Sequence, residues 1–97
     1  MVKRIVKMTF QEDQCDAFLA LFNEYKHKIR TFPGCASLKL LRAHHPANVF
    51  FTYSTWEDPS NLEDYRKSTV FSEVWPRTKE LFAAPAEAWT TDVLHDL

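Results

Sequence analysis

The sequence predicts an α+β fold in which an antiparallel sheet carries its helices on one face. Three observations predict it. The opening segment alternates apolar and polar side chains with a period of two; the next carries apolar residues three and four apart; and two further strand-like runs follow so closely that a hairpin joins them. A broken helical stretch and a last alternating run complete the order β, α, β, β, α, α, β.

Lys3 to Phe10 is the first strand, with Val6, Met8 and Phe10 on one face and Lys3, Lys7 and Thr9 sharing the other with Ile5. From about Asp13 the period changes, and Phe18, Phe22, Tyr25 and Ile29 recur at helical spacing. Asp13 and Asp16 near the start and Lys26, Lys28 and Arg30 near the end suit the helix dipole. Thr31 leads into Phe32-Pro33-Gly34, where the residue before proline leaves the α region, so the helix stops. Gly34 is the only glycine, and in a Pro-Gly pair it predicts a type II turn with positive φ.

Ala36 to Ala43 and Val49 to Trp56 are the hairpin strands, joined by the polar loop His44-His45-Pro46-Ala47-Asn48. Asp58-Pro59 is an N-cap followed by proline at the first helical position, opening a short helix through Leu62 and Tyr65. Ser68 can restart it, and Phe71, Val74, Trp75, Thr78 and Phe82 then keep helical spacing. Pro76 inside that run demands a kink or a start as late as Ser72, because proline has no N–H to donate. Pro85 is expected to end the helix, and the alternation around Glu87, Trp89, Thr91 and Val93 gives the last strand. This order is the split βαβ, ferredoxin-like plan.

A chain of this length forms one domain, residues 1–97, and buries only about 60–65% of its unfolded surface, so a second subunit is the expected cover for the bare sheet face. The 13 acidic and 12 basic side chains nearly cancel, which argues against a nucleic-acid partner, since phosphates call for a basic patch. No apolar run approaches the roughly 20 residues of a membrane span, and the first residues hold no long apolar stretch of the signal-peptide kind. A cytoplasmic protein without membrane contact is expected. Cys15 and Cys35 lack metal-ligand spacing and read as buried free thiols.

The aromatics Tyr65, Phe71 and Trp75, with Tyr53 and Trp89, read either as the lining of a ligand cavity between helices and sheet or as plain core. His27, His44, His45 and His95 are the side chains best suited by pKa to general-base work, yet they fall at a helix end, in the hairpin loop and in the tail, where exposure is expected. No set of residues has the spacing of a metal site, and no glycine pattern binds a dinucleotide, so neither metal nor cofactor is expected.

The opening strand, Phe32-Pro33-Gly34-Cys35, Tyr53-Ser54-Thr55-Trp56-Glu57, Tyr65-Arg66-Lys67-Ser68, Val70-Phe71 and Trp89, in this order, resemble the antibiotic biosynthesis monooxygenase (ABM) domains. The resemblance implies a homodimer in which two sheets face each other as a dimeric α+β barrel, and an aromatic substrate held where Tyr65, Phe71 and Trp75 lie. It implies a cofactor-independent monooxygenase for a quinol, phenol or anthrone-like aromatic, with Tyr65 or Tyr53 donating a hydrogen bond to the substrate's phenolate. Haem-degrading members of such folds use an Asn, a Trp and a His ligand where this chain has Val6, Tyr65 and Trp75, so haem chemistry is not implied. Relatives with acid–base histidines place one where Tyr65 stands and, in the isomerase-like ones, a second near Val70; this chain has neither, so that chemistry is not implied. The alternative is a non-catalytic small-molecule-binding or stress-related dimer.

Overall fold

The computed structural model describes all 97 residues. Strand β1 (Val2–Phe10) leads through a 3-10 turn (Glu12–Gln14) into helix α1 (Cys15–Arg30); β2 (Cys35–Arg42) and β3 (Val49–Trp56) form the hairpin; α2 (Pro59–Arg66), α3 (Thr69–Lys79) and β4 (Phe82–Asp92) follow. The four strands are antiparallel in the order β2-β3-β1-β4, which is the α+β, ferredoxin-like arrangement. All helices lie on one face, because Met8, Phe10 and Phe50 of the sheet pack against Cys15 and Phe18 of α1.

The local signals act as their chemistry dictates. The Asp58 side chain caps α2 by accepting from Ser60 N–H, and the Ser68 hydroxyl caps α3 by accepting from Phe71 N–H at 3.2 Å. At the end of α1 the Cys35 N–H bonds the Phe32 carbonyl across Pro33-Gly34, and Gly34 has φ 86°, which together make a type II turn. A Cβ at Gly34 would also overlap the Asn61 side chain. Gly34→Ala is therefore expected to cost about 1–3 kcal/mol through backbone strain alone; a thermal melt superimposable on that of the parent would contradict this.

Helix α3 starts at Thr69, directly after the Ser68 cap, so the late start near Ser72 is not taken and the helix runs through Pro76 to Lys79. The carbonyl of Ser72 loses its helical donor, a loss that water offsets because Ser72 and Pro76 are both exposed. Next, Pro85 does not end the helix: α3 stops at Lys79, and Pro85 lies inside β4, within an irregular stretch of the β1–β4 ladder between Lys7 and Thr9. An edge strand at a bulge tolerates a missing N–H. Finally, Phe82 is the first residue of β4, paired with Phe10, so its helical spacing from Thr78 is coincidental.

The buried apolar residues fall into separate clusters. One holds Met8, Phe10, Cys15, Phe18 and Phe50; another Val2, Cys35, Trp56 and Leu62; a further one Leu21, Tyr25, Ile29 and Val74 between α1 and α3. A domain this small ordinarily has one contiguous core. Here the clusters surround a space.

Candidate functional site

That space is a cavity of about 330 Å³ between the sheet and the helices, lined by 20 residues of which 15 are hydrophobic. It sits near the low end of the roughly 300–1,000 Å³ range of small-molecule sites. Its floor is the helix-facing side of β1 and β3, where Val6 lies opposite Thr52 and Arg4 opposite Ser54. Leu21 and Phe22 of α1 and Val74 of α3 contribute its roof.

Tyr65, Phe71 and Trp75 all line the cavity. Capping of α3 by Ser68 places Phe71 and Trp75 four residues apart on one helix face, stacked with ring centroids 5.6 Å apart. Tyr65, in the last turn of α2, meets Phe71 edge-on at 5.3 Å and stacks on Trp56 at 5.2 Å. Trp56 is itself fixed, only 1% exposed, with its Nε1–H donating to the Ser54 hydroxyl at 3.0 Å.

Burial pushes the Tyr65 phenol well above its ordinary pKa, and the neighbouring Cys35 adds to the shift. Tyr65 therefore stays protonated, a hydrogen-bond donor throughout the neutral range. Of the other hydroxyls in the lining, Ser54 accepts from Trp56 and Thr78 donates to the Val74 carbonyl at 2.8 Å. The Tyr65 hydroxyl bonds no protein group, and since no fully enclosed side-chain polar atom lacks a partner, it is not sealed inside the protein.

Tyr53 and Trp89 do not join these residues. Both lie opposite Ile5, on the sheet face turned away from the helices, because a strand sends successive side chains to opposite faces. The expectation that they line the same cavity is corrected accordingly, and Tyr53 cannot donate into it from that face. All four histidines are exposed, and none lines the cavity. No three His, Cys, Asp or Glu side chains converge as metal ligands would. Cys15 and Cys35 are buried free thiols, as their spacing suggested.

Among the lining residues that the sequence did not single out are the polar Arg4, Thr52, Ser54 and Arg66. Each left a signal. Arg4 shares its strand face with Val2, Val6 and Met8; Thr52 and Ser54 are polar residues on the face bounded by Phe50 and Trp56; Arg66 is one helical turn beyond buried Leu62. Polar groups on an apolar face mark a wall that does not close on its neighbour.

Comparison with known proteins agrees with this architecture. The family described as antibiotic biosynthesis monooxygenase matches residues 1–75. An uncharacterized protein of Synechocystis sp., sll1783, is 27% identical over 75 residues, which are 77% of this chain and 51% of that protein, so the chain spans about half the length of this curated relative. A crystal structure of an antibiotic biosynthesis monooxygenase superimposes with a TM-score of 0.91 over 98% of this chain and 100% of the other, at 20% identity. Rv0793 from Mycobacterium tuberculosis does so with 0.89 over 98% and 96%, at 19% identity. At these identities the structures speak for the fold, whereas the family match covers most of the sequence: the chain belongs to the antibiotic biosynthesis monooxygenase family.

Proposed function

We propose that the protein is a cofactor-independent monooxygenase that oxidises a phenol, quinol or anthrone-like aromatic with dioxygen inside the cavity. The observation that carries this reading is Tyr65, a phenol without a protein hydrogen-bond partner in the lining of an apolar, aromatic-rich cavity. A substrate of this kind becomes electron-rich when deprotonated and passes its electrons to oxygen itself. One oxygen atom ends on the ring, as the new carbonyl from a phenol or anthrone or the new hydroxyl of the quinone from a quinol, and the other leaves as water, while the substrate loses two hydrogens and supplies all four electrons. Tyr65 donates to the substrate oxygen on which charge accumulates, and Phe71 and Trp75 hold the rings.

Family membership supports the class of reaction, and oxygen uptake tests it. With a panel of hydroxynaphthoquinols and anthrones, uptake in the presence of a chelator and without flavin, haem or nicotinamide is expected. Absence of uptake across the panel would favour the second reading, a non-catalytic small-molecule-binding dimer. One observation already leans that way: no histidine or carboxylate lines the cavity, so no side chain there is an ordinary base.

The same reading includes a homodimer closed through the bare sheet face as an α+β barrel. That face carries Ile5, Phe51, Tyr53 and Trp89, with Trp89 and Leu41 each 46% exposed, an apolar surface that a second sheet would cover. Light scattering at micromolar concentration is expected to give twice the 11.4 kDa chain mass. Trp89→Glu should return a folded monomer, since Trp89 is not part of the buried core. A parent protein of single-chain mass would sink both dimer and barrel. Buried free thiols suit a reducing compartment, and the cytoplasm is the proposed location.

A further inference from the structure

Arg4 and Arg66 are the only charged residues in the lining of the cavity. Neither is paired with a carboxylate: the ion pairs of the chain are Lys7–Glu87, Lys67–Glu63 and Arg77–Glu24. Arg4 makes one side-chain hydrogen bond, from its Nη1 to the Thr90 hydroxyl at 2.9 Å, which leaves most of its guanidinium donors unused. By the ladder register Asp92 is the carboxylate nearest along β4, opposite Val2 and two residues beyond Thr90, and it lies outside ion-pair distance of both arginines. The Arg4 pKa is depressed, first by burial and then by repulsion from Arg66.

Like charges without a counter-ion, at the wall of an otherwise apolar cavity, work against the free protein. An incoming anion removes that conflict and gains fork-shaped, charge-assisted hydrogen bonds. We propose that Arg4 and Arg66 form an anion subsite, and that the cavity takes an aromatic carboxylate, its rings against Phe71 and Trp75 and its carboxylate between the two guanidiniums. This ligand class rests on the reading of the cavity as the ligand site, but not on whether a reaction follows. It also addresses the missing base, since two nearby cations favour the ionised form of an acidic hydroxyl on the same ligand.

The assignment is tested by binding, using redox-inert probes of the same shape. Quenching of tryptophan fluorescence, confirmed by calorimetry, would compare 2-naphthoate with the neutral 2-naphthamide at pH 7.5 and low salt. Naphthoate is expected to bind at least about tenfold more tightly, with the preference shrinking as salt is raised. The double variant Arg4→Met, Arg66→Met, which keeps the apolar stems, should abolish the preference while leaving naphthamide affinity within about twofold. Arg66→Met alone, at an exposed position, is the control should the double variant fold poorly, and it should lose part of the preference. Equal affinity for acid and amide in the parent, or a preference that survives both substitutions, would overturn the anion subsite and leave the oxygenase reading standing. Binding of neither probe would overturn the aromatic-carboxylate assignment together with the cavity as a site for bicyclic ligands. Preferential binding of naphthoate without any oxygen uptake from quinols would uphold the subsite and remove the oxygenase.

Discussion

Trp56→Ala is expected to be among the most destabilising single substitutions in the chain, lowering stability by about 3–5 kcal/mol. Trp56 is 1% exposed, packs with Val2, Cys35 and Leu62, and meets Phe32 edge-on at 6.3 Å. Removing the indole also frees the Ser54 hydroxyl from its donor at 3.0 Å. A domain of this length is stable by only about 5–15 kcal/mol, and each kcal/mol is worth about 4–8 °C in Tm at this size. A fall of about 15 °C or more in the thermal midpoint follows, measured by circular dichroism. Trp56→Phe keeps a ring against Tyr65 but not the hydrogen bond, and should cost markedly less. A midpoint within a few degrees of the parent for Trp56→Ala would mean that the cluster at this end of the sheet collapses around the gap.

The same substitution reaches the site. Tyr65 stacks on Trp56, so the alanine variant releases one side of the Tyr65 ring. Stability and the geometry of the cavity are coupled through that contact, and activity lost in Trp56→Ala therefore says nothing specific about chemistry. A residue with a free hydroxyl and fully engaged ring is the better probe.

The fold was legible in the sequence wherever a local rule acts alone. Asp58 before Pro59, Ser68 before Thr69 and the Pro33-Gly34 turn each fix a chain reversal or helix start by backbone hydrogen bonding within a few residues, and the structure uses all of them. Pro76 left two alternatives open and Pro85 misled, both for a tertiary reason. Pro76 can stay inside α3 because its exposed face lets water reach the orphaned carbonyl, and Pro85 can stay inside β4 because that strand is at the edge of the sheet. Neither exposure nor strand order is a local property.

The site was legible by half for a similar reason. Tyr65, Phe71 and Trp75 share one helical stretch, so their spacing alone brings them together. Tyr53 and Trp89 belong to strands, where a shift of one residue sends a side chain to the opposite face, and both turned out to oppose Ile5. Arg4 and Arg66 were hidden by their type, since arginines in a small soluble domain are ordinarily solvated. Only the faces they share with Val6 and Leu62 distinguish them.

Tyr65→Phe is expected to lower turnover with a quinol or anthrone substrate by about 10- to 100-fold, with KM changed by less than about threefold. The effect is differential. A phenol donor aimed at the oxygen that gains charge is worth most in the transition state, where its loss in comparable sites costs about 100- to 1,000-fold; a donor reaching in from one wall of a partly open cavity should fall below that range. The variant keeps the ring that touches Trp56, Phe32 and Phe71, and the hydroxyl has no protein partner to abandon, so the thermal midpoint should stay within a few degrees of the parent. The pH dependence follows from the same burial. Because the folded-state pKa of Tyr65 is raised above that of an unfolded phenol, the folded protein holds this proton more tightly; stability is untouched by it below about pH 10 and falls as the pH rises beyond that. No limb of the rate profile between pH 6 and 9 should then belong to Tyr65, and Tyr65→Phe should scale the profile down without moving its inflections. Steady-state oxygen-electrode measurements of parent and variant across that range decide the matter: an unchanged rate removes Tyr65 from the chemistry, and a shifted inflection assigns it a proton that the buried phenol is argued never to lose.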